Sequence, residues 1–164
     1  MIGNPGKPVP ENGNYKLNKG ATHSFHMVPD WAGRVWAQSD CDASGHCGPG
    51  PNTLAEFTVG DMDFYDVSLV DGYNLQAKIV PIPGTFKKTG SGKYDCNAAG
   101  CNSDFNAICP SELAIKKNGK VIVCRSACST FKTDEYCCGG AHNKPERCKS
   151  KDWPKNYPAI FKRA

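Results

Sequence analysis

Glu56 and Asp66 are spaced to do chemistry together. In residues 53–59, Ala55, Phe57 and Val59 alternate with Leu54, Glu56 and Thr58; in residues 64–70, Tyr65, Val67 and Leu69 alternate with Phe64, Asp66, Ser68 and Val70. Gly60-Asp61-Met62-Asp63 lies between them, so the two segments are predicted to pair as antiparallel strands. Superposing their apolar faces sets the register: Val59 against Tyr65, Phe57 against Val67, Ala55 against Leu69, Thr58 against Asp66 and Glu56 against Ser68. Glu56 and Asp66 then become diagonal neighbours on one polar face, with carbons about 7–8 Å apart. Two carboxylates at that separation can divide the roles of proton donor and acceptor, or accept hydrogen bonds from a hydroxylated ligand. A plainer reading runs beside this one. Asp61 and Asp63 solvate a loop, and Asp71 precedes Gly72 as a turn residue.

The second chemistry is thiol chemistry. Ten cysteines stand at 41, 47, 96, 101, 109, 124, 128, 137, 138 and 148. Cys124-x3-Cys128 stands at a spacing zinc sites use, but Cys137 and Cys138 are adjacent, and His23, His26, His46 and His142 do not stand at finger spacing. An even count at this density reads as disulfides in an oxidising compartment, with no metal expected. Cys41 and Cys47 close a Gly/Pro-rich loop over 41–51 at low entropic cost. The opening Met1-Ile2-Gly3-Asn4-Pro5-Gly6 has neither the basic nor the apolar region of a secretory leader. A secreted location is nevertheless expected from the cysteines, with the leader not present in this sequence.

The elements that position these groups read as strands and turns. The 164 residues suffice for one domain with a core. Seventeen glycines and twelve prolines favour strands over long helices, and no apolar run approaches the roughly 20 residues of a membrane-spanning helix. Glu11-Asn12-Gly13-Asn14 signals a turn. Tyr15, Leu17 and residues 24–28 show loose period-2 patterning. Gly33-Arg34-Val35-Trp36-Ala37 reads as a strand with Arg34 and Trp36 on one face. Eight of the ten cysteines fall in 96–148, where periodicity is weak. There a helical turn over 111–115 and a short helix over 126–135 are expected, in a lobe held by disulfides without a large core.

The net charge of +4 conceals a division. Residues 1–34 carry +2, residues 35–77 carry seven acids and no Lys or Arg, and residues 78–164 carry +9. A nucleic-acid binder would not interrupt its basic surface with such a block, so no nucleic-acid partner is expected. Lys116-Lys117 and Lys149-Ser150-Lys151 read as solvated faces, open to peripheral contact with acidic cell surfaces that salt would weaken.

The strings Gly33-Arg34-Val35-Trp36, Pro51-Asn52-Thr53-Leu54-Ala55-Glu56-Phe57 and Phe64-Tyr65-Asp66-Val67-Ser68-Leu69-Val70-Asp71-Gly72-Tyr73-Asn74-Leu75 resemble the thaumatin-like, pathogenesis-related proteins. So do Cys109-Pro110-Ser111-Glu112-Leu113, Phe131-Lys132-Thr133-Asp134-Glu135-Tyr136-Cys137-Cys138 and Phe161-Lys162-Arg163-Ala164, in order along nearly the whole chain. The resemblance implies a mainly β fold: an antiparallel β-sandwich over 1–102, with the short disulfide loop at 41–51, and an appended disulfide-rich lobe with short helices over 103–164. Family members usually begin with a cysteine-bearing strand and continue beyond a segment like 161–164. On the resemblance, the sandwich is expected to be incomplete and the chain to lack both termini.

The resemblance also implies pairings Cys109–Cys124, Cys128–Cys137 and Cys138–Cys148. Cys96 and Cys101 are then free or joined to each other, and Cys41–Cys47 rests on proximity alone. In the family, an arginine and several carboxylates line a cleft; the matching residues are Arg34, Glu56, Asp66 and Asp71. The implied function is a secreted, monomeric defence protein that binds β-1,3-glucan or a fungal wall surface, with Tyr65 and Tyr73 as aromatics to stack on a sugar ring. One alternative is a weak endo-β-1,3-glucanase with no cofactor, in which Glu56 is the acid and Asp66 or Asp71 its partner. Another is a non-enzymatic binding protein of the sweet-taste or allergen type.

Overall fold

The computed structural model describes residues 1–90 and 92–163. Ala164, the last residue of the matching string at 161–164, lies outside the described residues. The strands in chain order are β1 Ile2–Gly3, β2 Ala32–Val35, β3 Leu54–Thr58, β4 Phe64–Ser68, β5 Gly72–Tyr73, β6 Lys78–Ile79, β7 Ala99–Gly100, β8 Ala114–Lys117 and β9 Lys120–Arg125. They form a four-stranded sheet β1-β2-β3-β4, a three-stranded sheet β5-β9-β8 and a pair β6-β7, with every pairing antiparallel. The three-stranded sheet draws one strand from residues 72–73 and two from residues 114–125. Among the described residues the architecture is mainly β, with three short α-helices and four disulfides, consistent with the mainly β fold that the sequence resemblance implies.

β3 and β4 pair as expected in sense but not in register. Glu56 stands directly opposite Asp66, Ala55 opposite Val67 and Phe57 opposite Tyr65, a two-residue correction to the expected alignment. A slip of two residues keeps every side chain on its own face, so alternation is satisfied by either alignment. Asp63 Oδ1 accepts the Gly60 N–H at 3.0 Å and closes the turn, while the Val59 N–H extends the β2 ladder by donating to the Trp31 carbonyl at 2.8 Å. Gly33 in β2 admits close packing, because a Cβ there would strike the Ile2 carbonyl and the Trp31 ring. The buried Trp31 in turn donates its indole N–H to the Pro8 carbonyl at 2.8 Å.

Residues 14–30 form no strand, so the period-2 patterning there does not become a sheet. Its aromatics instead pack locally, Tyr15 on His23 at 4.2 Å and on Phe25 at 5.7 Å. The single helix expected over 126–135 is two: α1 Ala127–Phe131 and α2 Asp134–Cys137. Ser126 caps the first by accepting the Ser129 N–H at 3.0 Å, and Lys132 ends it in the left-handed region at φ 54°. A third helix, α3 Tyr157–Lys162, starts where Asn156 accepts the Ala159 N–H.

The expectation of a lobe without a large core is corrected. Tyr73, Phe105, Leu113, Cys124, Ala127 and Tyr157 are buried together, with Phe161, Tyr136 and Trp153 packed on them. Cys109–Cys124 runs into this cluster, Cys128–Cys137 joins α1 to α2, and Cys138–Cys148 closes the following loop. Cys41–Cys47 closes the loop before β3. Cys96 and Cys101 are free thiols, so the pairing of the two with each other is not made. The extended Ala99–Gly100 strand, held to Lys78–Ile79, carries Cys101 into the core and leaves Cys96 half-buried on the far side.

Two polar anchors hold these parts in place. Asn74 is buried, and its side chain accepts the Thr53 and Leu75 N–H groups at 2.9 and 2.7 Å and donates to the Ala37 carbonyl and Asn52 Oδ1, each at 2.9 Å. Glu112 Oε1 accepts from Lys155 Nζ at 2.6 Å and from the Tyr157 hydroxyl at 3.1 Å, which docks α3 on the turn at Ser111–Leu113. The Lys155 ammonium, foremost, holds the Glu112 carboxyl down to about 2, and burial together with Glu112 pushes the Tyr157 hydroxyl up to about 12.

Asn74→Asp removes both donors and leaves two acceptors unpaired, at roughly 1–3 kcal/mol per buried group; the denaturant midpoint is expected to fall accordingly. Because folding lowers the Glu112 pKa from 4.5, its stabilisation is complete above that pH and is lost as pH falls toward 2. Glu112→Gln is therefore expected to flatten the dependence of the melting temperature on pH across that window.

Candidate functional site

The register builds a row of charge across three strands. Arg34 on β2 stands opposite Glu56 on β3, and Glu56 stands opposite Asp66 on β4. Directly opposed residues of antiparallel strands project from the same face, with Cβ atoms about 4.5–5.5 Å apart. Arg34, Glu56 and Asp66 thus stand side by side, closer than the expected diagonal. Arg34 Nε lies 4.0 Å from Glu56 Oε1, with side chains 45% and 37% exposed. A solvated pair at that distance contributes about 0–1 kcal/mol at most. It is too weak to explain the row as a stabilising device. Among the described residues, the Asp66 and Asp71 carboxylates have no ion-pair or hydrogen-bond partner.

Two hollows meet at Arg34. One, of about 260 Å³, is lined by Asn4, Arg34, Glu56, Thr58, Phe64 and Asp66. The other, of about 750 Å³, runs past Ile2, Trp36, Asn52 and Leu54 to Asp71 and Ser129. Asp71 is held by its backbone, whose carbonyl accepts from the Ser126 N–H at 3.1 Å and the Ser129 hydroxyl at 2.9 Å. Gly72 follows at φ 147°, where a Cβ would lie 2.6 Å from the Cys124 carbonyl oxygen and 2.6 Å from Pro51 Cγ. The Asp-Gly turn is therefore structural in its main chain, and it leaves the Asp71 carboxylate at the wall of the larger hollow.

The two tyrosines expected to stack on a ligand ring are not on this face. Tyr65 alternates with Asp66 along β4, so it projects from the opposite side, where its hydroxyl donates to the Asn97 carbonyl at 2.8 Å. Tyr73 is 2% exposed. β5 pairs with β9 and carries it into the core, 5.1 Å from the Phe105 ring. Burial, followed by the neighbouring Asp104 carboxylate, pushes its hydroxyl up to about 12. The aromatics that do border the acidic row are Phe64, 63% exposed in the smaller hollow, and Trp36 in the larger. Strand alternation contained the signal for both: Phe64 shares a face with Asp66, and Trp36 with Arg34.

The arrangement can accept several hydroxyl hydrogens on carboxylate oxygens, donate from a guanidinium, and offer aromatic surface at either end. Among the described residues, no group of three or more His, Cys, Asp or Glu side chains is placed to hold a metal ion.

The sequence model of the thaumatin family matches residues 1–164. Pathogenesis-related thaumatin-like protein 3.5 of Cryptomeria japonica is 42% identical over 178 residues, covering 97% of this chain and 69% of that protein. Pathogenesis-related protein 5 of Arabidopsis thaliana is 44% identical over 173 residues, covering 93% and 67% respectively. A Prunus avium protein named glucan endo-1,3-beta-glucosidase is 39% identical over 182 residues, covering 96% of this chain and 69% of its own length.

Tyr73→Ala is expected to destabilise the fold by about 3–5 kcal/mol, as for other buried aromatic truncations. Chemical denaturation measures this, and a loss of stability as large as that separates a core role from a ligand-stacking one.

Proposed function

The chain belongs to the thaumatin family, and from that premise we propose that it is a secreted defence protein that binds β-1,3-glucan, or a fungal wall surface bearing it, on the Arg34–Glu56–Asp66 face. The observation that carries this reading is the cross-strand row itself. It sets two carboxylates beside a guanidinium on an exposed sheet face, between hollows bordered by Phe64 and Trp36. A glucan presents hydroxyls in every sugar, which carboxylates accept, and apolar ring faces, which aromatic side chains cover. Four disulfides support an oxidising compartment, and among the described residues no helix is long and apolar enough to cross a membrane. The pathogenesis-related names of the relatives support a defence role.

A second reading, hydrolysis, draws on the name of the Prunus avium relative. Glu56 would protonate the leaving oxygen as Asp66 attacks the anomeric carbon, and water, deprotonated by Glu56, would then release the sugar from Asp66. Opposed positions set the two Cβ atoms about 4.5–5.5 Å apart, which lets the carboxyls approach within the roughly 5–5.5 Å that retaining glycosidases use. Asp71 belongs to the neighbouring hollow and would hold the chain rather than react. Binding ranks ahead of turnover because the row lies on an open face, without the enclosure that holds a scissile bond between two groups.

Sedimentation with insoluble β-1,3-glucan tests the binding. The protein is expected to co-sediment, and Glu56→Gln and Asp66→Asn are each expected to weaken binding about tenfold. Failure of the unmodified protein to sediment would overturn the reading. Release of reducing ends from soluble β-1,3-glucan, abolished by Glu56→Gln, would establish hydrolysis in place of simple binding.

A further inference from the structure

The excursion between β6 and β7 has a chemistry opposite to that of the acidic row. Residues 72–94 carry Lys78, Lys87, Lys88 and Lys93 and no Asp or Glu. The excursion is closed at its base by Lys78 against Gly100 and Ile79 against Ala99. It is clamped again near its tip by Asp95, whose Oδ2 accepts the Gly90 N–H at 2.6 Å and whose Oδ1 accepts the Thr89 N–H and hydroxyl, each at 3.1 Å. Asn97 Nδ2 donates to the Lys93 carbonyl at 2.7 Å, and the Tyr65 hydroxyl from β4 holds the Asn97 carbonyl at 2.8 Å. The tip is thus tied to the sheet, and its nearest carboxylate is occupied by backbone donors, led by Gly90, that hold it below the usual carboxylate range. Lys87, Lys88 and Lys93 are exposed along the same tip as Tyr94, which is itself 86% exposed. The Lys93 ammonium lies 5.4 Å from the Tyr94 ring centroid, over one face.

We propose that this tip, centred on Tyr94 with Lys87, Lys88 and Lys93, is a second binding site, and that its ligand is an acidic polysaccharide of the polyuronate class. Each sugar of such a polymer supplies a carboxylate for a lysine and a ring face for the tyrosine. A neutral glucan supplies only the second, so this site is distinct in ligand from the Arg34–Glu56–Asp66 face and does not depend on that reading. A lipid surface fits less well. The apolar side chains Val80 and Ile82 are exposed, but Pro81 and Pro83 interrupt them at the Ile82–Thr85 turn, and Phe86 is half-buried, leaving Tyr94 as the exposed ring beside the lysines. Nucleic acid fits less well because its charge and its flat ring faces sit on separate groups, whereas a uronate carries carboxylate and ring face on one sugar, matching the lysine placed over the Tyr94 ring.

The experiment measures binding of the full chain to immobilised polygalacturonate across a salt series. Affinity is expected to fall as salt rises. The combined Lys87→Ala, Lys88→Ala and Lys93→Ala variant is expected to lose about tenfold or more. Tyr94→Ala is expected to weaken binding with an unchanged salt dependence. Lys149→Ala with Lys151→Ala, on the opposite part of the chain, is expected to bind as the unmodified protein does, and Glu56→Gln likewise. An equal loss in the Lys149/Lys151 variant would reduce the effect to net charge and overturn the proposal. Preferential binding to phosphatidylserine vesicles or to single-stranded DNA over polygalacturonate would overturn it in favour of a membrane or nucleic-acid ligand. An unchanged thermal midpoint in the lysine variants separates loss of binding from loss of fold.

Discussion

One amide side chain joins the parts of this molecule. The four-stranded and three-stranded sheets share no strand. Asn74 sits between them and uses all four hydrogen-bonding positions of its amide: two acceptances from Thr53 and Leu75, two donations to Ala37 and Asn52. Its own main chain adds a bond from its N–H to Thr53 Oγ1 and one to its carbonyl from Asn106, whose amide also reaches the Ile122 carbonyl in β9. The segment leaving β2, the segment entering β3, strand β5 and strand β9 are therefore tied at one point. A buried amide in this position is tolerable only when fully paired, and that requirement makes the geometry specific.

The two halves of the chain then divide the tasks of stability and recognition. The main aromatic cluster, built on Tyr73, Phe105 and Tyr157, and three of the four disulfides lie largely within residues 101–157, while the buried Trp31 stands apart beside β2. The four-stranded sheet contributes the charged row, which is half exposed and adds little to stability by itself. Recognition residues can stand on an open face because the hydrophobic cluster and the Glu112–Lys155–Tyr157 contact are elsewhere. The same division explains the charge pattern. Of the acidic block, Glu56 and Asp66 stand on the exposed face of β3 and β4 and Asp61 and Asp63 on the turn between them, and the lysine-bearing tip between β6 and β7 is tied beside that sheet without sharing its polarity.

Periodicity made β3 and β4 legible, and it placed Glu56 and Asp66 on one face. It could not fix the register, because residues two positions apart share a face, so the alignment with Glu56 opposite Asp66 and the alignment two residues away superpose the same apolar side chains. The Asn118-Gly119 turn between β8 and β9, with both residues at positive φ, was a readable hairpin signal that strand patterning alone passed over. Lys132 divides the expected helix because the disulfide-linked α1 and α2 turn back on each other there. Nearness in sequence to Glu56 and Asp66 suggests Tyr65 and Tyr73 as ligand contacts. Alternation excludes the first. Burial of the second follows from the pairing of β5 with β9, a long-range event. The string Tyr73-Asn74-Leu75 marked the family, but the role of Asn74 emerges only from partners 21 to 37 positions away.

The row Arg34–Glu56–Asp66 runs at right angles to its strands. Strands in a sheet are held side by side at a spacing of about 4.8 Å by their backbone ladders, so the three side chains inherit a fixed pitch from the main chain and not from their own rotamers. A ligand laid along the row would span three strands at once and act as a cross-brace, resisting any slip of β2 or β4 past β3. Occupancy and register are then coupled. A slide of one strand by a single position would turn its charged member to the opposite face, and the pitch would be broken for the ligand as abruptly as for the sheet.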